Sequence, residues 1–260
     1  MRTINFFFVF IFSFFVYLNA LDVQAQENRI RISGVISDAE NGESLPSVNV
    51  YLSGTTSGTA AKADGFYALE TNLTGEYILM VSFLGYEAIQ KKVFLEDGKN
   101  YEFDFALRQD ILTMGEVKVE AEIDQDFMQR VHEFRQFFIG TDKFADRTKI
   151  LNPEVLRFEW LAGSKQYTAR SVEPLKLKNE ALGYEIELII DEIMYDPIEN
   201  TGFWRVFPRY TEMESDTRRK RRQWRKNRKK SYDGSGHHSF LSLYEDKARS
   251  NQFNMLPRRH

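Results

Sequence analysis

Apolar and polar residues alternate over much of the first half of the chain. Ile30 and Ile32 are interleaved with Arg29 and Arg31. Val48, Val50 and Leu52 alternate across SVNVYL, and Tyr77, Leu79, Val81 and Phe83 line one face of EYILMVSF. Tyr101, Phe103, Phe105 and Leu107 repeat the pattern against Glu102 and Asp104. A period of two over about four to eight residues predicts half-buried strands. Asn41-Gly42, Asp64-Gly65 and Asp97-Gly98 supply the positive φ of tight turns, and Gly54, Gly58, Gly75 and Gly85 punctuate further. Roughly six to eight short strands about ten residues apart predict a sandwich or barrel.

The period changes after Ala121. Phe127, Val131, Phe134 and Phe138 fall at i, i+4, i+7 and i+11, the stripe of an amphipathic helix. Asp124 or Asp126 is placed to cap its start, and Gly140 to stop it. Val155–Ala162 and Lys165–Val172 then read as paired strands around Ala162-Gly163. Tyr184–Tyr195 and the aromatic run Gly202–Tyr210 read as further strands. The expected fold is thus an all-β sandwich over 26–121, followed by an α+β domain over 122–260 with C-terminal helices.

Residues 1–25 have a different pattern. Arg2 precedes an apolar run from Phe6 to Leu18 broken only by Ser13, and Val23-Gln24-Ala25 offers small residues where a signal peptidase reads. This predicts a signal peptide cleaved before Gln26. An uncleaved membrane anchor is the alternative, but a spanning helix needs about 20 apolar residues. The run here is shorter, and Asn19 and Asp22 interrupt it. No later run of that kind occurs, so no transmembrane helix is expected after cleavage. Export to the periplasm or the outer-membrane surface follows. The chain has no cysteine, which excludes disulfides, thiolate metal sites, a cysteine nucleophile and a lipid-modified amino terminus.

Charge adds one further segment. Residues 218–230 read RRKRRQWRKNRKK, ten cations and no acid. The whole chain carries −3, so the remainder carries −13. A basic helix at about 212–231 is expected, and three readings of it compete. It is a solvated helix face packed through Trp224 and neutralised by the acidic remainder. Alternatively it meets anionic lipid headgroups or lipopolysaccharide phosphates, or Trp224 stacks on a nucleic-acid base. Export argues against nucleic acid as a partner. The candidate contact residues for an anionic surface are Arg218, Arg219, Arg221, Arg222, Trp224, Arg225 and Lys229.

The run SGVISDAENGESLPSVNVYLSGTTSGTAAKADGFYALETNLTGEYILMVSFLGYE resembles the carboxypeptidase-regulatory-like domain of exported Bacteroidetes-type proteins. The matching positions include Gly34, Asp38, Gly42, Pro46, Gly54, Asp64-Gly65, Tyr67 and Gly85-Tyr86. The resemblance implies a transthyretin-like sandwich of about seven strands and no zinc peptidase site, since this is the accessory domain of its namesakes. Further on, Phe138-Ile139-Gly140-Thr141, Ile150-Leu151-Asn152-Pro153 and Asn179-Glu180-Ala181-Leu182-Gly183-Tyr184 resemble the region after the sandwich in a group of Bacteroidetes proteins. No activity comes with that resemblance. Similar sandwiches precede TonB-dependent transporters, whose 22-stranded barrels need roughly 220 residues of strand. Only 140 residues follow position 120 here, so a complete transporter is not expected.

Motifs for catalysis are not found. The histidines are His132, His237, His238 and His260, without an H-E-x-x-H arrangement. His132-Glu133 reads as a surface pair, and His237-His238 as a loop pair too small for a good metal site. Asp64-Gly65 reads as a turn before a calcium ligand, and Tyr86 as core packing before an exposed binding aromatic. The acids Glu185, Glu187, Asp191 and Glu192 read as chance neighbours in an acidic protein. The expectation is a non-catalytic envelope binding or scaffold protein without cofactor or metal, its partners being envelope proteins, glycans or an anionic outer-membrane surface. An accessory component of a TonB-dependent type transport or assembly system is the first alternative, and an enzyme of unknown type the second.

Overall fold

In the computed structural model the chain divides into two compact units, Met1–Met114 and Gly115–His260. The structure describes residues 29–110, 125–161, 166–196, 198–199, 201–233 and 235. The signal peptide expected over 1–25 lies outside them, as do Asp124, the turn Ala162-Gly163, and His237, His238 and His260.

Unit 1 is a β-sandwich. One sheet holds β1 (Ile30–Asp38), β4 (Phe66–Thr71), β7 (Asn100–Glu102) and β8 (Phe105–Leu107), in the order β4-β1-β7 with β8 also on β1. The other holds β2 (Asn49–Leu52), β3 (Gly58–Ala60), β5 (Gly75–Ser82) and β6 (Ile89–Leu95), in the order β3-β2-β5-β6. The alternating residues meet between the sheets. Ile30, Ile32, Val48, Val50, Leu52, Leu79, Val81 and Leu107 are fully buried there, and Tyr77, Phe83, Tyr101 and Phe103 pack against them.

The single strand expected over 101–107 is two strands lying end to end along one edge of β1, both parallel to it. The break comes at Phe103-Asp104 beside Gly34. A Cβ on Gly34 would stand 2.0 Å from the Phe103 carbonyl oxygen. The Asp104 carboxylate fills the gap in the ladder by accepting from the Val35 N–H at 2.8 Å. Eight strands therefore occupy seven positions in the two sheets.

Two of the motif positions are explained by contacts. Asp38 accepts from the Glu40 N–H at 2.7 Å through one oxygen and from the Tyr86 hydroxyl at 2.8 Å through the other. Tyr86 is therefore a tether to the end of β1, packed on Phe83, and not an exposed binding aromatic. Asp64-Gly65 is a turn: Asp64 accepts from the Phe66 N–H at 3.0 Å, and Gly65 has φ of 76°.

Unit 2 is built on a long hairpin, β13 (Tyr184–Asp196) with β14 (Thr201–Glu212). The other edge of β13 carries two strands in line, β12 (Leu175–Asn179) and β11 (Tyr167–Ser171). Outside these lie β9 (Thr148–Ile150) and β10 (Leu156–Trp160), giving an antiparallel six-stranded sheet. Asp191 forms a bulge in β13, since Ile190 pairs with Val206 and Glu192 with Arg205. The extra residue turns Ile193 and Tyr195 onto the same face as Leu188 and Ile190, and all four are buried.

That face is covered by α1 (Gln125–Phe134), which continues as a π-helical turn, Arg135–Ile139. The Gly140 N–H bonds back to the Arg135 carbonyl, and Gly140 has φ of 94°, which ends the helix. The stripe Phe127, Val131, Phe134 and Phe138 packs into the sheet as its spacing predicts. Phe134 stacks on Phe138 and meets the edge of Phe158, while Phe137 stacks on Tyr195 over Gly202. The second helix, α2, spans Arg218–Tyr232 and not 212–231, because β14 runs on to Glu212. Its start is fixed by Thr217, whose side chain accepts from the Lys220 N–H.

Candidate functional site

The helix α2 contains no acid in its first turn, three cations at its N-terminus, and like charges at i, i+4 throughout. Each such feature works against a helix: cations oppose the dipole at the N-terminus, and like charges one turn apart repel. Its stability therefore comes from contacts with the rest of unit 2.

Those contacts are made to one turn. Residues 180–183 connect β12 to β13, and all four of their carbonyls accept from α2 side chains. The Trp224 indole N–H donates to Glu180 at 3.0 Å and the Asn227 amide to Ala181 at 2.7 Å. The Arg228 guanidinium donates to Leu182 at 2.8 Å and to Gly183 at 3.1 Å. Arg228 also bonds Glu212 at 2.7 Å and lies 3.9 Å from the centre of the Tyr184 ring. Burial beside these groups raises the Tyr184 hydroxyl above its ordinary pKa.

The turn is itself shaped to receive the helix. Gly183 has φ of 70°, and a Cβ there would come within 2.2 Å of the Trp224 ring. Asn179 holds the turn from below. Its amide donates to Phe144 and Thr148, and its oxygen accepts from the Leu182 N–H. Glu180 is anchored by Lys149 at 3.1 Å, with Arg147 at 3.7 Å, and its hydrogen bond to Lys149 lowers its pKa.

This arrangement corrects one expected contact residue. Trp224 is 4% exposed, so it is the anchor of the helix and presents no ring to a partner. The other expected residues, Arg218, Arg219, Arg221, Arg222, Arg225 and Lys229, are exposed. Arg221 turns back to the Ser215 carbonyl. At 100° per residue, the side of α2 turned away from Trp224 carries Arg218, Arg219, Arg222, Arg225, Lys226, Lys229 and Lys230. None of these seven has an acidic partner among the described residues; the helix's one ion pair there is Arg228 with Glu212. Arg218, Arg219, Arg222, Gln223 and Lys226 line a shallow cleft between their own side chains.

The acids singled out in β13 are partnered across the sheet. Glu185 pairs with Lys178, Glu187 with Arg209, and Asp191 and Glu192 both with Arg205. His132 is exposed and bonds Gln136 at 2.8 Å. A groove of about 390 Å³ opens on the α1 side of the sheet, where Phe138, Phe144, Leu177, Trp204 and Tyr210 line it. Asn227, Arg228 and Gly183, which complete the clamp, were not among the sequence candidates. The signal for them was the Asn179-to-Tyr184 motif, whose glycine marks a close approach.

Residues 32–119 match the family model described as CarboxypepD_reg-like domain. TonB-dependent receptor P3 of Formosa agariphila is 36% identical over 83 residues, which make up 32% of this chain and 8% of the receptor. The chain thus spans less than a tenth of the length of that curated relative. Among solved structures, 3-chlorocatechol 1,2-dioxygenase from Rhodococcus opacus matches with a TM-score of 0.26 and 9% identity, over 33% of this chain and 61% of the other. A putative carbohydrate binding protein from Bacteroides uniformis matches with a TM-score of 0.25 and 12% identity, over 70% of this chain and 79% of the other. The sandwich of unit 1 is a CarboxypepD_reg-like domain.

Proposed function

We propose that this is a non-catalytic binding or scaffold protein of the bacterial envelope, docked to an anionic partner through the outer face of α2. The observation that carries this reading is the pairing of a rigid seat with an unneutralised face. Trp224, Asn227 and Arg228 fix the helix to the 180–183 turn, while seven cations point away without acidic partners among the described residues. Charge repulsion of that kind costs stability, and an anionic partner relieves it. The sandwich serves as a spacer or interaction module, and the signal peptide over 1–25 delivers the chain to the envelope. The likeness of 83 residues of the chain to part of a TonB-dependent receptor supports a second reading, an accessory component of an outer-membrane transport or assembly system.

The test is fractionation of the host envelope, followed by a salt wash. The expected result is sedimentation with membranes at low salt and release at high salt. A charge-reversed variant, R222E/K226E/K229E, is expected in the soluble fraction throughout. Wild-type protein wholly soluble at low salt would refute docking through α2.

A further inference from the structure

Resting on that docking reading, we infer that the partner of the α2 face is a layer of phosphate-bearing lipid headgroups, met by adsorption without insertion. Three features of the face point to this partner.

Its shape comes first. Arg218, Arg222, Lys226 and Lys230 form one i, i+4 row, with Arg225 and Lys229 in the next and Arg219 alongside. The helix has 15 residues, a straight ridge about 22 Å long at 1.5 Å per residue. A convex ridge touches a planar charged surface along its whole length. The shallow cleft between Arg218, Arg219, Arg222 and Lys226 covers only part of that ridge and is no channel of the kind that tracks a nucleic-acid backbone.

The chemistry of the face comes second. It is made of cations and Gln223, with Trp224 beneath the helix at 4% exposure and one exposed ring, Tyr232, at the C-terminal end beside Lys229. Successive bases have no row of rings to stack on, only Tyr232 at one end. A well-packed protein interface needs an apolar centre depleted in charge, and this face has none. Headgroup phosphates need neither shape complementarity nor apolar contact. The one exposed aromatic of α2, Tyr232 at its C-terminal end, gives seven cations too little apolar surface for the helix to enter the acyl region.

The third feature is the count of cations. Clusters of about four to eight Lys or Arg on one helix are the size that holds a protein to an anionic leaflet, each contributing about a fivefold gain in affinity.

The experiment uses protein purified from its host and mixed with phosphatidylcholine vesicles, with and without phosphatidylglycerol. Binding is expected to the anionic vesicles alone. It should vanish near 1 M salt, where the screening length falls to about 3 Å. R222Q/K226Q/K229Q should weaken it roughly 100-fold, with the unfolding midpoint of unit 2 unchanged or raised. Retention in 1 M salt, or an unaffected triple variant, would overturn adsorption by this face. Equal or tighter binding to soluble polyphosphate chains would overturn the lipid assignment. If the protein sediments with the envelope but ignores anionic vesicles, docking stands and the lipid partner falls. If it does neither, both readings fall.

Discussion

Gly183→Ala tests whether the turn and the helix are one device. The substitution acts twice. A left-handed backbone costs a residue with Cβ about 1–2 kcal/mol, and Gly183 has φ of 70°. The added methyl would also stand 2.2 Å from the Trp224 ring, so the ring must move. Overpacking of that kind costs about 1–3 kcal/mol. The two together give about 2–5 kcal/mol. Trp224→Ala alone should cost about 3–5 kcal/mol for a buried tryptophan. In the Trp224→Ala background the ring is gone, and Gly183→Ala should then cost only the backbone part, about 1–2 kcal/mol. The coupling is therefore about 1–3 kcal/mol, within the range for residues in contact. Urea unfolding followed by tryptophan emission measures it. Trp160, Trp204 and Trp224 are the three tryptophans and all belong to unit 2, so unit 1 is silent. Trp160 and Trp204 keep the signal in every variant. If the two substitutions add to within about 0.5 kcal/mol, the ring does not press on the turn and the clamp is misread.

Other expectations follow from single contacts. Gly34→Ala should destabilise unit 1 by about 2–3 kcal/mol through the Phe103 carbonyl, without shifting the tryptophan-detected transition of unit 2. Asn179→Ala strips the 180–183 turn of its buried support and should cost unit 2 about 1–3 kcal/mol by the same tryptophan assay. The Glu40 N–H and the Tyr86 hydroxyl bonded to Asp38 hold its carboxyl below its ordinary value of 3.8. A depressed folded-state pKa contributes stability that is complete above the unfolded value and lost as pH falls through the folded one. Unit 1 should therefore weaken on acidification below about pH 4, and Asp38→Asn should flatten that dependence. An unchanged acid profile in Asp38→Asn would remove this role from Asp38.

Strands whose faces are half buried were legible as alternation. Ile30 and Ile32, or Phe105 and Leu107, have a wet side and a dry side, with Arg31 and Ala106 exposed between them, whereas in β2 and β5 the intervening Tyr51 and Met80 are buried too. The Phe127-to-Phe138 stripe was legible for the same reason. Alternation fails where the backbone slips. The bulge at Asp191 moves the dry side of β13 by one residue, so Ile193 and Tyr195 break the rhythm of Leu188 and Ile190 while facing the same core. The interruption at Phe103-Asp104 is invisible because its cause, Gly34, lies far away in sequence. A strand as short as β9 carries too few residues to show a period. At the candidate site, the cationic run announced the outer face. The inner face was hidden, because Asn227 and Arg228 belong to the same polar run and only their carbonyl partners distinguish them.

The pairing of β1 has a consequence for the order in which unit 1 is completed. One edge of β1 meets β4, with Ile30 opposite Thr71 and Val35 opposite Phe66. The other edge waits for β7 and β8, with Ile36 opposite Phe105. The earliest strand to be synthesised is thus finished by the last, through contacts of long sequence separation that are slow to form. A nascent or truncated chain ending near residue 98 would display a bare strand edge beside a nearly assembled core. Such an edge is a template for pairing with another chain. That edge of β1 is accordingly covered only once β7 and β8 are available.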